Sequence, residues 1–117
     1  MSKSKAQGTR WETYIVARLN RRFLRGKRLP ELGANDEGDI EFWDSHGKRW
    51  VIEAKATQTL NVTRVLGKAR EKSRGDFTVL FWKRLVPKKE GMKIRQADGE
   101  KEVVVMSMRD FLYIVRR

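Results

Sequence analysis

The sequence of 117 residues has no cysteine, one histidine, two prolines and no apolar run of transmembrane length. Without cysteine the chain forms no disulfide and no thiolate metal site, as is usual in a reducing compartment. With a single histidine, a metal site must be built from oxygen ligands, which disfavours zinc. Residues 1–8 lack the apolar core of a signal peptide. We therefore expect a cytoplasmic protein, including the case of a virus-encoded protein that acts in its host cell.

The chain has fewer acidic residues than basic ones. The chain carries 15 Asp and Glu against 27 Lys and Arg, which gives a formal net charge of +12. An excess of this size predicts a polyanionic partner, and nucleic acid fits it better than a membrane does. The length and the 39% hydrophobic content suit one domain with a single core. We expect a flexible basic arm over residues 1–8 and a single domain over residues 9–117.

The spacing of the apolar residues predicts an α/β fold, in which a central mixed β-sheet is flanked by helices. Period-two alternation indicates two strands joined by a tight turn. A nearly all-apolar run after the second helix indicates a buried strand, parallel to the second of these through a right-handed crossover. In chain order we expect a helix over residues 9–23, strands over 38–43 and 49–57, a helix over 60–73 capped by Thr59, and a strand over 77–82.

The C-terminal part is predicted to be a hairpin followed by a helix. Residues 93–95 and 102–106 flank Asp98-Gly99, which is a common hairpin turn. Ser107 then caps a short helix. We expect this part to be structural or to form an interface. The predicted core face of the helix consists of Phe111, Leu112 and Val115.

Glu53 and Lys55 share one face of the strand over residues 49–57, among Ala and aliphatic side chains. A carboxylate and an ammonium group on such a strand are costly unless a partner uses them. One interpretation is that the two side chains lie on a solvated face and pair with each other. The other is that Asp39, on the neighbouring strand of the hairpin, joins Glu53 in holding a hard divalent cation.

The order of Glu12, Asp39 and then Glu53-Ala54-Lys55 resembles the active site of the PD-(D/E)XK nuclease superfamily. Within that superfamily, the spacing and the small size are most similar to the archaeal-type Holliday junction resolvases. The similarity extends over residues 8–82. No proline precedes the aspartate, and Gly38 stands where relatives often carry a small hydroxyl residue.

The resemblance implies a restriction-endonuclease-like core of order α-β-β-α-β and a homodimer. It also implies hydrolysis of DNA phosphodiesters with Mg²⁺, for which Mn²⁺ can substitute. Asp39, Glu53 and the carbonyl group of Ala54 would bind the metal. Lys55 would orient or deprotonate the attacking water, or stabilise the transition state, and Glu12 would assist.

Two further side chains near the motif have alternative roles. Glu12 either reaches the metal site or completes a capping box with Thr9, in which it bonds the backbone N–H of the cap. Gln58 ends the strand that carries Lys55; it is an ordinary loop residue or an auxiliary group that orients water or phosphate. His46 lies in the turn of the hairpin, where we expect it to be solvated rather than catalytic.

Basic residues recur along one face of each of the first two helices. The row on the first helix contains no acid at the spacing that would offset it, so its charges repel unless phosphates neutralise them. Lysines in the N-terminal arm and a row on the second helix extend this surface. The predicted DNA-binding residues are Lys3, Lys5, Arg10, Arg18, Arg21, Arg22, Arg25, Arg64 and Lys68.

The sequence is compatible with three functions. The first is a Mg²⁺-dependent Holliday junction resolvase that makes paired nicks in branched DNA. The second is a less selective nuclease of the same superfamily, of phage, restriction or repair type. The third is a non-catalytic basic module that binds nucleic acid, in which the D…ExK pattern is a coincidence.

Overall fold

The computed structural model describes residues 3–22, 26–29, 39–73, 76–86 and 100–117. Within these residues a five-stranded mixed sheet is flanked by helices, which confirms the expected α/β class. None of the helices in these segments is both long and apolar enough to cross a membrane. In chain order the elements are α1 (Lys3–Arg22), β1 (Lys27–Arg28), β2 (Ile40–Trp43), β3 (Arg49–Thr57), α2 (Val62–Lys72), β4 (Phe77–Arg84), β5 (Glu102–Met106) and α3 (Met108–Arg116).

The strands lie in the order β1-β2-β3-β4-β5. β2 and β3 form the predicted antiparallel hairpin, with Ile40 opposite Ile52. The turn between them uses Gly47 at a φ of 76°, which glycine adopts without steric cost. β3 and β4 are parallel, as expected for strands joined through a helix. β5 pairs antiparallel with β4.

The main core lies between α1 and one face of the sheet. Trp11, Ile15 and Leu19 recur every four residues along α1, and all three are buried. Val51 and Leu80 point to the opposite face and are also fully buried. α2 contacts β3 and β4 on that side. The core under α1 contains Trp11, Ile15, Leu19, Ile40, Phe42, Trp50, Ile52, Phe77 and Val79.

α1 begins at Lys3, six residues before its predicted start at Thr9. Residues 3–8, which were predicted to be a flexible arm, are therefore helical. They are mostly Lys, Ala and Gln, which favour helix, and the cost of one glycine is only about 1 kcal/mol. The carbonyl oxygen of Thr9 accepts a bond from Thr13 Oγ1 at 2.9 Å inside the helix. The predicted capping box of Thr9 and Glu12 is therefore wrong.

α2 begins at Val62, two residues later than predicted. Its cap is Asn61, whose side chain accepts a hydrogen bond from the backbone N–H of Arg64, and not Thr59. Asparagine is at least as good an N-cap as threonine, which is consistent with a cap two residues further on. The helix ends at Lys72 with Ser73 as its C-cap.

The bounds of three strands differ from the prediction. β2 begins at Ile40 rather than at residue 38. β1 lies in a stretch where no strand was predicted. It is held to β2 by the ion pair of Lys27 with Glu41, at 3.1 Å. β4 continues to Arg84, beyond the predicted end at Trp82. The predicted strand over residues 93–95 and the Asp98-Gly99 turn lie outside the described residues.

α3 is capped as predicted but buries a different face. Ser107 Oγ accepts from the backbone N–H of Asp110 at 3.1 Å, which confirms the cap. The predicted core face is wrong, because Phe111, Leu112 and Val115 are all about half exposed or more. The helix instead buries the carboxylate of Asp110, which pairs with Arg70 at 2.8 Å. Spacing alone indicates which side chains share a face, but not which face meets the domain.

Candidate functional site

Asp39 is fixed between two strands at the point where β2 begins. Its carbonyl oxygen accepts from the backbone N–H of Leu29 at 2.8 Å, and its own N–H donates to the carbonyl oxygen of Ile52 at 3.0 Å. Its side-chain Oδ2 accepts from the backbone N–H of Ala54 at 2.8 Å. The carboxylate of Asp39 therefore contacts the backbone of the Glu53-Ala54-Lys55 segment, as the hairpin predicted.

Glu53 and Lys55 lie on the same face of β3, and both are half-buried. Ala54 and Ala56 alternate with them and pack against the core under α1. β2 pairs with β3 only as far as Ile52. Beyond that point no strand among the described residues pairs with this edge of β3. The two charged side chains thus stand where β2 and β3 separate, with the Asp39 carboxylate at the gap.

The far end of β3 is fixed by β4. The indole Nε1 of Trp82 donates to the carbonyl oxygen of Thr57 at 3.2 Å and to its hydroxyl at 3.1 Å. The backbone N–H of Leu85 donates to the same carbonyl group at 2.9 Å. Trp82 is also the register partner of Lys55. Gln58 follows at a bend and is exposed, so it lies at the same end of β3 as Lys55.

Glu12 takes a different position from the other motif residues. Its carboxylate pairs with the guanidinium of Arg28 at 3.2 Å. Arg28 is the register partner of Ile40, which points into the core under α1. Glu12 and Arg28 therefore meet on the α1 side of the sheet, whereas Glu53 and Lys55 point to the other side. The structure places Asp39 against the backbone of the segment that carries Glu53 and Lys55, beyond the last paired residue of β2, and gives Glu12 a cationic partner of its own.

The oxygen atoms at this position suit a hard cation. No three side chains of His, Cys, Asp or Glu come together within the part of the chain that the structure describes. A metal ion here would rest on the carboxylates of Asp39 and Glu53 and on the main-chain oxygen of Ala54. Mg²⁺ commonly binds through one or two carboxylates and completes its shell with water and phosphate oxygens. The donor set therefore fits Mg²⁺.

The basic rows flank the sheet on both sides. Arg10, Arg18, Arg21 and Arg22 are exposed on α1, while Arg64 and Lys68 are exposed on α2. α2 begins five residues after the end of β3, so Arg64, in its first turn, lies at the same end of the sheet as Lys55. Arg25 and the side chains of Lys3 and Lys5 lie outside the described part.

A cavity of about 370 Å³ lies beside Ala56. It is lined in part by Lys83, a basic residue that was not among the predicted site residues. The rings of Trp11 and Tyr14 stack there, with centroids 5.7 Å apart. Lys83 Nζ lies 5.8 Å from the centroid of the Trp11 ring, which is a cation–π contact. Lys83 lies beyond the predicted strand over residues 77–82, because the apolar run ends before it. The continuation of β4 to Arg84 places Lys83 on the α1 side of the sheet, on the face opposite to Glu53 and Lys55.

No protein-family model, curated protein or solved structure matches this chain.

Proposed function

We propose that the protein is a metal-dependent endodeoxyribonuclease of the PD-(D/E)XK type, and that it resolves Holliday junctions by paired nicks. The observation that carries the proposal is the hydrogen bond from the Ala54 backbone N–H to Asp39 Oδ2, at 2.8 Å. It joins the acid of one strand to the acid-and-lysine segment of the next. An aspartate that faced away from this segment would remove the basis for a shared metal ion.

The topology supports a restriction-endonuclease-like core. The order α1-β1-β2-β3-α2-β4 builds a mixed sheet with α1 on one face and α2 on the other. The candidate site lies where β2, the antiparallel partner of β3, ends and β3 continues beside β4. Charged side chains at such a position are open to a substrate that approaches the sheet edge, while the core holds their backbone in place.

Each motif residue has a role in the proposed reaction. Asp39, Glu53 and the Ala54 carbonyl group would bind the metal ion. When bound, the ion lowers the pKa of a coordinated water and offsets the negative charge that builds on the phosphate oxygens. Lys55, on the face of Glu53, would orient the water or stabilise the transition state with its ammonium group. Gln58 is retained only as an auxiliary candidate.

The exposed basic side chains account for binding to DNA. Contacts of Arg and Lys with phosphates position a duplex without reading its sequence. A protein of this size would then select its substrate by shape, and a symmetric homodimer with two centres suits a junction that has two equivalent strands to cut. An enzyme of this kind acts in the cytoplasm, where it meets cellular or viral DNA.

The test compares a four-way junction, a nicked duplex and a linear duplex in Mg²⁺ and in EDTA. Asp39→Asn keeps an oxygen that accepts from the Ala54 N–H but removes the negative charge, so the fold should persist. We expect cleavage in Mg²⁺ only and a loss of about 100-fold or more in the variant. Glu71→Gln is the matched control, because it makes the same change at an exposed position on α2.

The outcomes separate the three functions. Paired, symmetric nicks in the junction support the resolvase. Equal attack on the linear duplex indicates the less selective nuclease. An Asp39→Asn variant as active as the wild type would refute the metal site. DNA binding without cleavage by the wild type would leave the basic nucleic-acid-binding module as the function.

A further inference from the structure

A groove of about 1160 Å³ lies at the end of the sheet where β3 and β4 begin. α3 forms one wall, and the last turn of α2 together with Lys48 and Phe77 forms the other. Binding sites for small molecules have volumes of about 300–1,000 Å³, so this groove has room for an extended ligand. We call it the α3 groove. None of the residues that line it is among the predicted DNA-binding residues.

The lining of the α3 groove has more cations than acids. Its two acids, Asp76 and Asp110, are each held in an ion pair at 2.8 Å. Arg109 and Arg116 are exposed, and neither forms an ion pair within the described part of the chain. An anionic ligand would neutralise this excess of positive charge. The cations of the lining are Lys48, Arg70, Arg109, Arg116 and Arg117.

One face of α3 presents cations and an aromatic ring in turn. Arg109, Tyr113 and Arg116 follow the spacing i, i+4 and i+7, and all three line the groove. Tyr113 is 60% exposed, and its ring meets Phe77 edge-on with centroids 5.5 Å apart. This contact holds the ring in place and leaves much of its surface accessible to a ligand.

Two further cations meet at the ring of Phe77, which is buried and also lines the groove. Lys48 Nζ lies 5.2 Å and Arg117 Cζ 5.6 Å from the centroid of this ring. Such cation–π contacts keep both charges at the groove. Arg117 also pairs with Asp44 at 2.6 Å through one nitrogen, and a guanidinium has further N–H donors. A phosphate that enters the groove can therefore accept charge-assisted hydrogen bonds here.

We propose that the α3 groove binds single-stranded DNA, with phosphates on its cations and unpaired bases against Tyr113. Proteins hold single strands in this way, because a basic groove follows the backbone and an aromatic ring stacks with any base. Met108 and Leu112 line the same wall, are 76% and 48% exposed, and add apolar surface for the bases. In a duplex the bases are stacked and paired inside, so they would not reach the ring. The choice of DNA rests on the proposed function.

The mixture of charge and apolar surface favours a nucleic acid over an acidic peptide or a membrane. An acidic peptide would neutralise the cations but would leave Met108, Leu112 and Tyr113 in water. An anionic membrane would need these side chains on a convex surface, whereas they line a groove. An unpaired strand offers both a negative charge and a flat ring at every nucleotide.

The α3 groove lies apart from the candidate metal site. Phe77 is the register partner of Trp50, and Lys55 lies five residues further along β3. At about 3.3 Å per residue this is about 17 Å, which is the length of about five base steps of a DNA strand. A strand in the groove would thus leave the metal site clear while another part of the same DNA is cut. The inference adds to the proposed function a binding site for an unpaired strand of the branched substrate.

The test is fluorescence anisotropy of a labelled oligothymidine strand of about 12 nucleotides, and of a duplex of the same length, in EDTA so that nothing is cut. Tyr113→Leu removes the ring but keeps an apolar side chain. We expect it to weaken binding of the single strand about tenfold and binding of the duplex less than about twofold. Tyr14→Leu is the matched control, because it makes the same change at the 42% exposed tyrosine of α1. It should bind the single strand as the wild type does.

A second variant tests the cations of the groove. Arg109→Gln combined with Arg116→Gln changes two exposed side chains, so the fold should persist even if Tyr113→Leu is unstable. Each phosphate contact with a single strand contributes about 0.7 to the slope of the logarithm of the binding constant against that of the salt concentration. We expect the double variant to lower the magnitude of this slope by about 1.4. Circular dichroism checks the fold of every variant.

Three results would overturn the proposal. One is a folded Tyr113→Leu variant that binds the single strand as tightly as the wild type. Another is a double variant whose salt dependence equals that of the wild type. A third is loss of binding to a polyglutamate peptide or to anionic lipid vesicles in these variants while binding of the single strand persists, which would give the groove another occupant. DNA cleavage in Mg²⁺ is scored separately, so each of the two proposals can fail alone.

Discussion

The carboxylate of Asp44 ties the β2–β3 turn to the end of the chain, and its replacement by asparagine has a calculable cost. Oδ2 accepts from the indole N–H of Trp50 at 2.8 Å and from the guanidinium of Arg117 at 2.6 Å. Oδ1 accepts from the backbone N–H groups of His46 at 2.9 Å and Lys48 at 3.1 Å. All four bonds favour the ionised form of the acid.

These hydrogen bonds determine how the contribution of Asp44 to folding stability depends on pH. Burial alone raises the pKa of Asp44, but the bonds from Trp50, Arg117, Lys48 and His46 outweigh it and hold the pKa well below its usual range. The folded pKa is thus lower than the unfolded value of about 3.9. The contribution to stability is fully present above that value and is lost as the pH falls through the folded pKa.

The loss of folding stability in Asp44→Asn depends on the hydrogen bonds that the substitution removes. The amide oxygen can still accept from the two backbone N–H groups, but its NH₂ group would face the donors of Trp50 and Arg117. Each bond to a charged acceptor contributes about 1.5–3 kcal/mol, and the low end applies because Arg117 is partly exposed. We expect a loss of about 3 kcal/mol at pH 7, or about 10 °C in Tm.

Thermal unfolding followed by circular dichroism at a series of pH values measures this. Glu71→Gln serves as the control for loss of a negative charge at an exposed site. The gap in the free energy of unfolding between wild type and Asp44→Asn should be widest near pH 7 and should narrow as the pH falls below about 4. A gap under about 0.5 kcal/mol at pH 7, or one that stays constant into acid, would contradict the reasoning.

Three other substitutions test other parts of the structure. Thr78 Oγ1 is the one buried side-chain polar atom without a partner among the described residues, so Thr78→Val should leave stability unchanged or raise it by up to about 1 kcal/mol in urea unfolding. Arg70→Met should cost about 2–3 kcal/mol by stranding the Asp110 carboxylate, and a double-mutant cycle with Asp110→Asn should recover part of it. Glu12→Gln should lower DNA cleavage less than tenfold, because the carboxylate is paired with Arg28 on the α1 side; a loss equal to that of Asp39→Asn would restore Glu12 to the site.

The part of the fold that sequence predicted well is the part where the pattern has a period of two. The β2–β3 hairpin and the common face of Glu53 and Lys55 followed from alternation. The parallel pairing of β3 with β4 followed from an all-apolar run after a crossover helix. The contact of Asp39 with Ala54 followed from the hairpin, because a short turn fixes which residues stand side by side. The candidate site was therefore predictable from local rules.

The features that sequence missed depend on partners far away in the chain. The face of α3 that meets the domain is chosen by the pairing of Asp110 with Arg70, 40 residues earlier. β1 is a strand only because β2 lies beside it. The part of α1 ahead of Thr9 was missed for a different reason, because helix propensity is weak residue by residue.

The most direct test of the central claim is to map where a metal ion binds. Fe²⁺ replaces Mg²⁺ at oxygen sites, and with ascorbate and peroxide it cuts the polypeptide beside the bound ion, which mass spectrometry locates. We expect cuts near Asp39 and near Glu53 that excess Mg²⁺ suppresses and that are absent in Glu53→Gln. Cuts elsewhere in the chain, or the same cuts in the variant, would contradict a metal ion shared by these two carboxylates.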